Sequence, residues 1–386
     1  MRRNRSPWEL LSCGEFPGCA PRPALGDAAV YPEVPNFRGQ RFGAEDDARL
    51  RRLEPSAGQG SGVRRNVFLT GATGFIGARL AAALRERGDE VRALVRSPEK
   101  AGALRELGCE VVAGELSDIE PSMLEGCDAL VHSAAAYQVG VSASQAEAMR
   151  GVNVGGTERT LDAAVSAGIN RIVYVSTVNT FGDTKGAVVD ETYVRPANSF
   201  VSAYDETKWL AHEAVKRRIE AGAPIMIAMP GLVYGPGDTS QMGEQVRSAM
   251  AGKLPYLGFP TLGANAVHVD DVVQGILLLL DGGAIGEAYV LGGEVTRARD
   301  LIGAAAHAAG KRPPRFSMPT WVIRLSAPLG RTSIGSSLGI PANVAELIAA
   351  TDGVTYWASD NKARTQLGYA PRNLATGMAE TFRDGA

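Results

Sequence analysis

The stretch that most constrains this chain is Asn66 to Gly77, N-V-F-L-T-G-A-T-G-F-I-G, which runs directly into Ala78 to Arg87. Val67, Phe68 and Leu69 form a short apolar run suited to a buried parallel strand, glycines recur at 71, 74 and 77, and apolar residues then follow at helical spacing. A strand, a glycine turn and a helix start in that order leave backbone N–H groups unpaired where a diphosphate can approach the main chain. Gly71 is expected to make the tight turn, Gly74 to let the backbone near the pyrophosphate, and Gly77 to let the helix lie close on the strand. Thr73, Phe75 and Ile76 complete the binding loop.

Beyond this loop the chain alternates strand-like and helix-like segments, the pattern of βαβ units. Strands are expected near 66–70, 90–95, 110–114, 128–132, 171–175 and 225–229, with helices near 76–87, 99–107, 144–167 and 204–220. Several of the helices close on glycine, at 88, 108, 168 and 222. The fold class read from this is α/β, a doubly wound parallel sheet of the Rossmann type, with ligands bound beyond the carboxyl ends of the strands. Residues 63–237 are expected to form the NAD(P)-binding domain. Residues 238–386 should build mostly a smaller C-terminal substrate-binding cap, with the segment around 265–292 returning to the core. Residues 1–62 carry scattered Pro, Gly and Arg without a sustained apolar period, and are read as a disordered N-terminal extension. A sharper expectation is that translation begins at Val63, immediately before the first strand.

After the second strand, at the distance where an NAD-preferring site carries a carboxylate for the ribose 2′-hydroxyl, this chain has Val95-Arg96-Ser97-Pro98. Arg96 is expected to pair with a 2′-phosphate, which favours NADP over NAD. Glu115 and Leu116 follow the third strand and are expected to embrace the adenine. Ser133, Ala134 and Ala135 follow the fourth and are small, as a backbone passing a cofactor must be. Tyr204 and Lys208, spaced i, i+4 at the start of a helix, share one face. A neighbouring ammonium together with the positive nicotinamide ring stabilises a phenolate, so Tyr204 is read as the acid/base that exchanges a proton with a substrate oxygen. A hydroxyl from Ser176 or Thr177, at the end of the fifth strand, is expected to hydrogen-bond the same oxygen.

Composition narrows the partners. With 45% hydrophobic and 21% charged residues and a formal net charge of -2, the whole-chain balance recommends neither nucleic acid nor an anionic membrane; it favours a small-molecule substrate. The apolar run Ile276 to Leu280 is far shorter than a bilayer span. Cys13, Cys19, Cys109 and Cys127 lack metal-ligand spacing, so neither a metal site nor a disulfide framework is expected, and the compartment is read as the cytoplasm.

Together these residues resemble the extended short-chain dehydrogenase/reductase family, also called NAD-dependent epimerase/dehydratases, over about Val67 to Phe382. The resemblance is carried by the Gly71-to-Gly77 loop, Asn153-Val154-Gly155-Gly156-Thr157, Val175-Ser176-Thr177, Tyr204 with Lys208, Pro230 to Gly237, His268-Val269-Asp270-Asp271, and Leu367-Gly368-Tyr369-Ala370-Pro371. It implies that Thr177, counted back from Phe181-Gly182, is the catalytic hydroxyl. It also implies that Lys208 holds the nicotinamide ribose, that Pro230, Gly231 and Val233 contribute to the cofactor site, and that His268 is structural. Val178-Asn179 stands where dehydratases of the family carry an Asp-Glu pair, which argues against dehydration. Leu94-Val95-Arg96 and Met229-Pro230-Gly231-Leu232 are more similar to the dihydroflavonol-reductase and farnesol-dehydrogenase-like branch, although a hopanoid-associated sugar epimerase branch shares much of the pattern. The leading expectation is an NADP-preferring oxidoreductase that interconverts a carbonyl and an alcohol on a small apolar molecule. A nucleotide-sugar epimerase with tightly bound NAD and a non-catalytic cofactor-sensing protein are the alternatives, and a homodimer is allowed for. Met242, Tyr256, Leu257, Phe259, Pro260, Met318 and Trp321 of the cap, with Tyr137 and Phe200 from loops, are candidate apolar lining for the substrate.

Overall fold

The computed structural model describes residues 64–196, 199–332 and 340–385, within the compact unit Gly60–Ala386. The expectations for residues 1–62 lie outside the described residues. Strands β1 (Asn66–Thr70), β2 (Glu90–Val95), β3 (Glu110–Ala113), β4 (Ala129–His132), β5 (Ile172–Val175) and β6 (Ile225–Pro230) join β9 (Ala288–Leu291) in a seven-stranded parallel sheet. Its order, β3-β2-β1-β4-β5-β6-β9, reverses direction beside β1, next to the glycine loop.

Both faces of this sheet are covered, which is why its strands are apolar at nearly every position rather than alternating. Val67 and Leu69 of β1 face one core with Leu80 and Leu84 of helix α1 (Phe75–Glu86), while Phe68 faces the other core. In β5 the same alternation sends Val173 and Val175 to the first core and Ile172 and Tyr174 to the second. Burying a Leu or Ile of this kind contributes about 1.5–3 kcal/mol.

Two helical expectations change in detail. The helix expected over 99–107 shortens to α2 (Gly102–Glu106), because Pro98 starts a separate 3-10 turn. The long helix expected over 144–167 divides into α3 (Ala143–Arg150), a wide π turn at Gly151–Gly156, and α4 (Thr157–Ser166). Helix α5 (Ala203–Glu220) then packs through Ala211 and Val215 against the second core.

A second, smaller sheet is centred on β8 (Gly263–His268), which pairs with β7 (Leu232–Tyr234), antiparallel with β10 (Glu294–Arg297), and with the short β11 (Thr355–Tyr356). Helices α6 (Gln241–Met250), α7 (Val269–Gly282), α8 (Ala298–Ala308), α9 (Thr320–Leu325), α10 (Val344–Thr351), α11 (Asn361–Leu367) and α12 (Leu374–Gly385) complete the described fold. Helix α7 packs with α1 on the main sheet, through Val272 and Ile276, whereas α6, α8 and α12 share a third apolar cluster with the small sheet.

Candidate active site

The loop between β1 and α1 is shaped by close backbone approach. Gly71 has φ +76°, and a Cβ there would lie 2.7 Å from the Ala134 nitrogen; a Cβ on Gly77 would lie 2.0 Å from the Gly71 carbonyl oxygen. Gly74 is the N-cap of α1, which has no side-chain cap and no acidic residue in its first turn. The first N–H groups of the helix are therefore left to a ligand or to water, and Thr73 and Gly74 are exposed while Phe75 and Ile76 are half-buried. These features fit a dinucleotide diphosphate.

Arg96 directly follows β2, is exposed, and has no ion-pair partner among the described residues. Glu115 is exposed beyond β3, and Leu116 is half-buried. Ser133 and Ala134 run beside the end of β1, where the Ala134 N–H donates to the Thr70 hydroxyl at 3.4 Å, and Ala135 is exposed. Pro230 lies in the strand ladder opposite Leu291, and Val233 pairs with Val267 in the small sheet. Position 231 requires glycine for a reason the sequence did not suggest: a Cβ there would lie 2.2 Å from the Asn265 carbonyl oxygen of β8.

Thr177, Tyr204 and Lys208 converge just beyond β5. The Thr177 hydroxyl caps a 3-10 turn, accepting from the Asn179 N–H at 3.2 Å, and also lies against the Tyr204 phenol, whose ionised form it favours. Tyr137 meets the Tyr204 ring edge-on, with centroids 4.6 Å apart. Lys208 is buried, and its ammonium donates to the Val175 carbonyl at 3.1 Å and to the Tyr174 hydroxyl at 3.4 Å. Burial lowers the Lys208 pKa to about 8. Burial, then Tyr137 and Tyr174, push Tyr204 above its ordinary range. The Lys208 ammonium is directed at Tyr174 and the β5 backbone.

Several residues outside the expected set hold this corner. Ser202 caps α5 by accepting from the Asp205 N–H at 3.1 Å. The Asp205 carboxylate receives both ends of the Arg195 guanidinium at 2.6 Å, in a pair only 4% and 1% exposed, and also accepts the Val201 N–H. The Ala203 N–H donates to Glu346 of α10 at 2.8 Å. Asn153, in the π turn, accepts from the Ala136 N–H at 2.7 Å and donates to the Ala136 carbonyl and the Thr207 hydroxyl, joining the β4 loop to α5. Asn153 stood inside a motif noted in the sequence; the Arg195–Asp205 pair had no local signal.

Beneath the corner runs a buried polar network. His132 shares hydrogen bonds with the Thr70 hydroxyl at 2.7 Å and the Thr157 hydroxyl at 3.0 Å, and its ring stacks on Tyr174. Burial, with a smaller contribution from the Lys208 charge, lowers the His132 pKa to about 3, so the imidazole is neutral.

The model of the NAD dependent epimerase/dehydratase family matches residues 67–292. The chain is 32% identical over 311 residues to a 4-hydroxy-2-methyl-3-oxo-4-farnesyl-3,4-dihydroquinoline-1-oxide ketoreductase of Stigmatella aurantiaca, covering 79% of this chain and 92% of that protein. It is 30% identical over 325 residues to a 3β-hydroxysteroid dehydrogenase/Δ5→4-isomerase of Mycobacterium tuberculosis, covering 79% of this chain and 86% of the relative. Among solved structures, the crystal structure of gox2253 superposes with a TM-score of 0.69 at 32% identity, covering 83% of this chain and 98% of that one.

Proposed function

We propose, from the premise that this chain belongs to the NAD-dependent epimerase/dehydratase family of extended short-chain dehydrogenases/reductases, that it is an NADP-preferring oxidoreductase interconverting a carbonyl and an alcohol on a small apolar molecule. The observation that carries this reading is the meeting of Thr177, Tyr204 and Lys208 beyond β5, at the same edge of the sheet as the uncapped start of α1.

The Gly71-to-Gly77 loop would hold the diphosphate, Arg96 the 2′-phosphate, Glu115 and Leu116 the adenine, and Lys208 the ribose next to the nicotinamide. When bound, the cofactor supplies or accepts the hydride. Tyr204 gives a proton to the substrate oxygen in reduction and takes it back in oxidation, and Thr177 orients that oxygen by a hydrogen bond. Because the protein's own groups hold Tyr204 protonated, it stands ready as the acid of the reductive direction. Residues 238–386, apart from about 265–292, are assigned to the substrate cap. The apolar substrate class is supported by the farnesyl quinoline and steroid named for the two relatives. A cytoplasmic location is part of the same reading.

Epimerisation is the second reading, favoured by the name of the matching family. Screening ketones and alcohols with NADPH and NADP at the nicotinamide absorbance separates the two. Net turnover on an apolar carbonyl is the expected result. Cofactor that co-purifies and never turns over in net fashion, with a nucleotide sugar inverted instead, would overturn it.

A further inference from the structure

Among the described residues, Tyr137, Val188, Val194, Ile285 and Val295 are large apolar side chains exposed at separate places in the fold, but a further group is clustered. Phe316, Trp321, Leu325 and Leu329 are 75%, 66%, 70% and 43% exposed, and all lie within one short stretch around α9. Tyr256, itself 43% exposed, joins them, because Leu257 exchanges backbone hydrogen bonds with Phe316 and Met318. Trp321 and Leu325 are one helical turn apart and share a face of α9.

The charges carried by the stretch itself are of one sign. From Leu301 to Thr332 the sequence holds no acidic residue, while Lys311, Arg312, Arg315 and Arg324 are exposed and have no ion-pair partner among the described residues. Most other arginines of the fold are paired, as Arg65, Arg87, Arg92 and Arg372 are. Carboxylates border it on two sides: Asp352 accepts the Thr320 hydroxyl at 2.8 Å, and Glu294 and Asp300 line a groove with Arg315. The whole-chain charge of -2, which pointed away from anionic partners, averages over this local excess.

We propose that the face formed by Tyr256, Phe316, Trp321, Leu325 and Leu329, edged by Arg315 and Arg324, docks the protein peripherally on an anionic lipid surface. Aromatic and aliphatic side chains enter the headgroup boundary while guanidinium groups meet the phosphates, the combination that holds interfacial segments. A second copy of the chain fits less well, since a two-fold contact pairs the patch with itself and sets one basic-edged surface against another of the same sign. The face is also near the chemistry: Thr320 bonds Asp352 at the end of α10, and Glu346 of α10 holds the backbone beside Tyr204. If the substrate is apolar, as the functional reading has it, lipid contact here places the cap against its reservoir; the docking itself does not depend on that reading.

The test is sedimentation of the full chain with vesicles of one part phosphatidylglycerol to three parts phosphatidylcholine, beside vesicles of phosphatidylcholine alone. Binding to the anionic vesicles that weakens with salt is expected. Arg315→Gln with Arg324→Gln should weaken it about 25-fold, at roughly fivefold per basic residue. Phe316→Ser with Leu325→Ser should also release the protein. A vesicle-induced blue shift of tryptophan emission should vanish in Trp321→Phe, and far-ultraviolet circular dichroism checks that each variant is folded. Failure to bind anionic vesicles, equal binding to both kinds, or wild-type binding by the folded double arginine variant would each overturn the proposal. So would a dimer lost in Phe316→Ser with Leu325→Ser and no vesicle binding, which assigns the face to a second copy. None of these measurements requires turnover, so their failure and the failure of the catalytic reading are distinguishable.

Discussion

The two ends of the candidate site, the glycine loop and the corner beyond β5, are built on opposite principles. At the glycine loop, α1 begins without a side-chain cap or an acid in its first turn, and Arg96 stands exposed without an ion-pair partner among the described residues. At the catalytic corner nearly every polar group is engaged inside the protein: Thr177 with Asn179, Lys208 with Val175 and Tyr174, Asp205 with Arg195, and Asn153 with Ala136 and Thr207. Under the proposed function, the first end would bind by what it leaves unsatisfied, and the second would position the reacting groups by satisfying everything around them. A ligand-binding end of the first kind tolerates exchange of cofactor, whereas the second must be held by residues distant in sequence.

The largest expected effect tests the corner as chemistry. Tyr204→Phe keeps the ring against Tyr137 and removes only the hydroxyl, so turnover should fall by roughly 10²- to 10⁴-fold with cofactor affinity almost unchanged. Near-normal turnover on a substrate the wild type converts would move the acid elsewhere. Next in size is the corner as structure. Arg195→Ala leaves the Asp205 carboxylate buried and unpaired, which should cost about 3–5 kcal/mol in urea unfolding. A loss under about 1 kcal/mol would mean that solvent reaches Asp205 and that the pair does not fix the start of α5.

The same contrast explains what could be read in advance. The strand-turn-helix at Asn66 to Gly77 is local: its glycines answer to neighbours in the same βαβ unit, so spacing alone suggests the close packing that Gly71 and Gly77 make. Tyr204 and Lys208 were legible because one helical turn separates them. What joins Glu346 to Ala203, or Arg195 to Asp205 in the core, is tertiary, and no period or motif carries it. The hydrogen bonds of Lys208 were not legible for the same reason. Its partner Tyr174 is on a different element, brought alongside only by the pleat of β5. The π turn at Gly151–Gly156 likewise interrupts a pattern that reads as continuous helix, and it serves to aim Asn153 at two elements at once.

At the open end a smaller effect is expected. Arg96→Ala should weaken NADPH about 10- to 100-fold and NADH little, the worth of a charge-assisted contact of roughly 1.5–3 kcal/mol. Calorimetric titration with both nucleotides decides it. Equal losses for the two would return Arg96 to the category of solvated surface charges and leave the NADP preference without support.

The smallest effect tests whether the two ends are separate at all, since His132 touches both: it bonds Thr70, at the root of the glycine loop, and stacks on Tyr174, beneath Lys208. Its pKa is lowered from 6.5 to about 3 in the folded protein, so between these values the unfolded chain binds the additional proton. The stabilisation from a neutral His132 is therefore fully present above pH 6.5 and is lost as the pH falls through the window towards 3. At pH 5.5 the loss should be only about 1.4 kcal/mol, one unit into that window. His132→Gln, which keeps hydrogen-bonding capacity towards Thr70 and Thr157 but does not titrate, should flatten the stability profile between pH 7 and 5.5 by that amount in urea unfolding. A profile as steep as the wild type's would assign the acid sensitivity to other buried groups, and the two ends of the candidate site would then be coupled by packing alone.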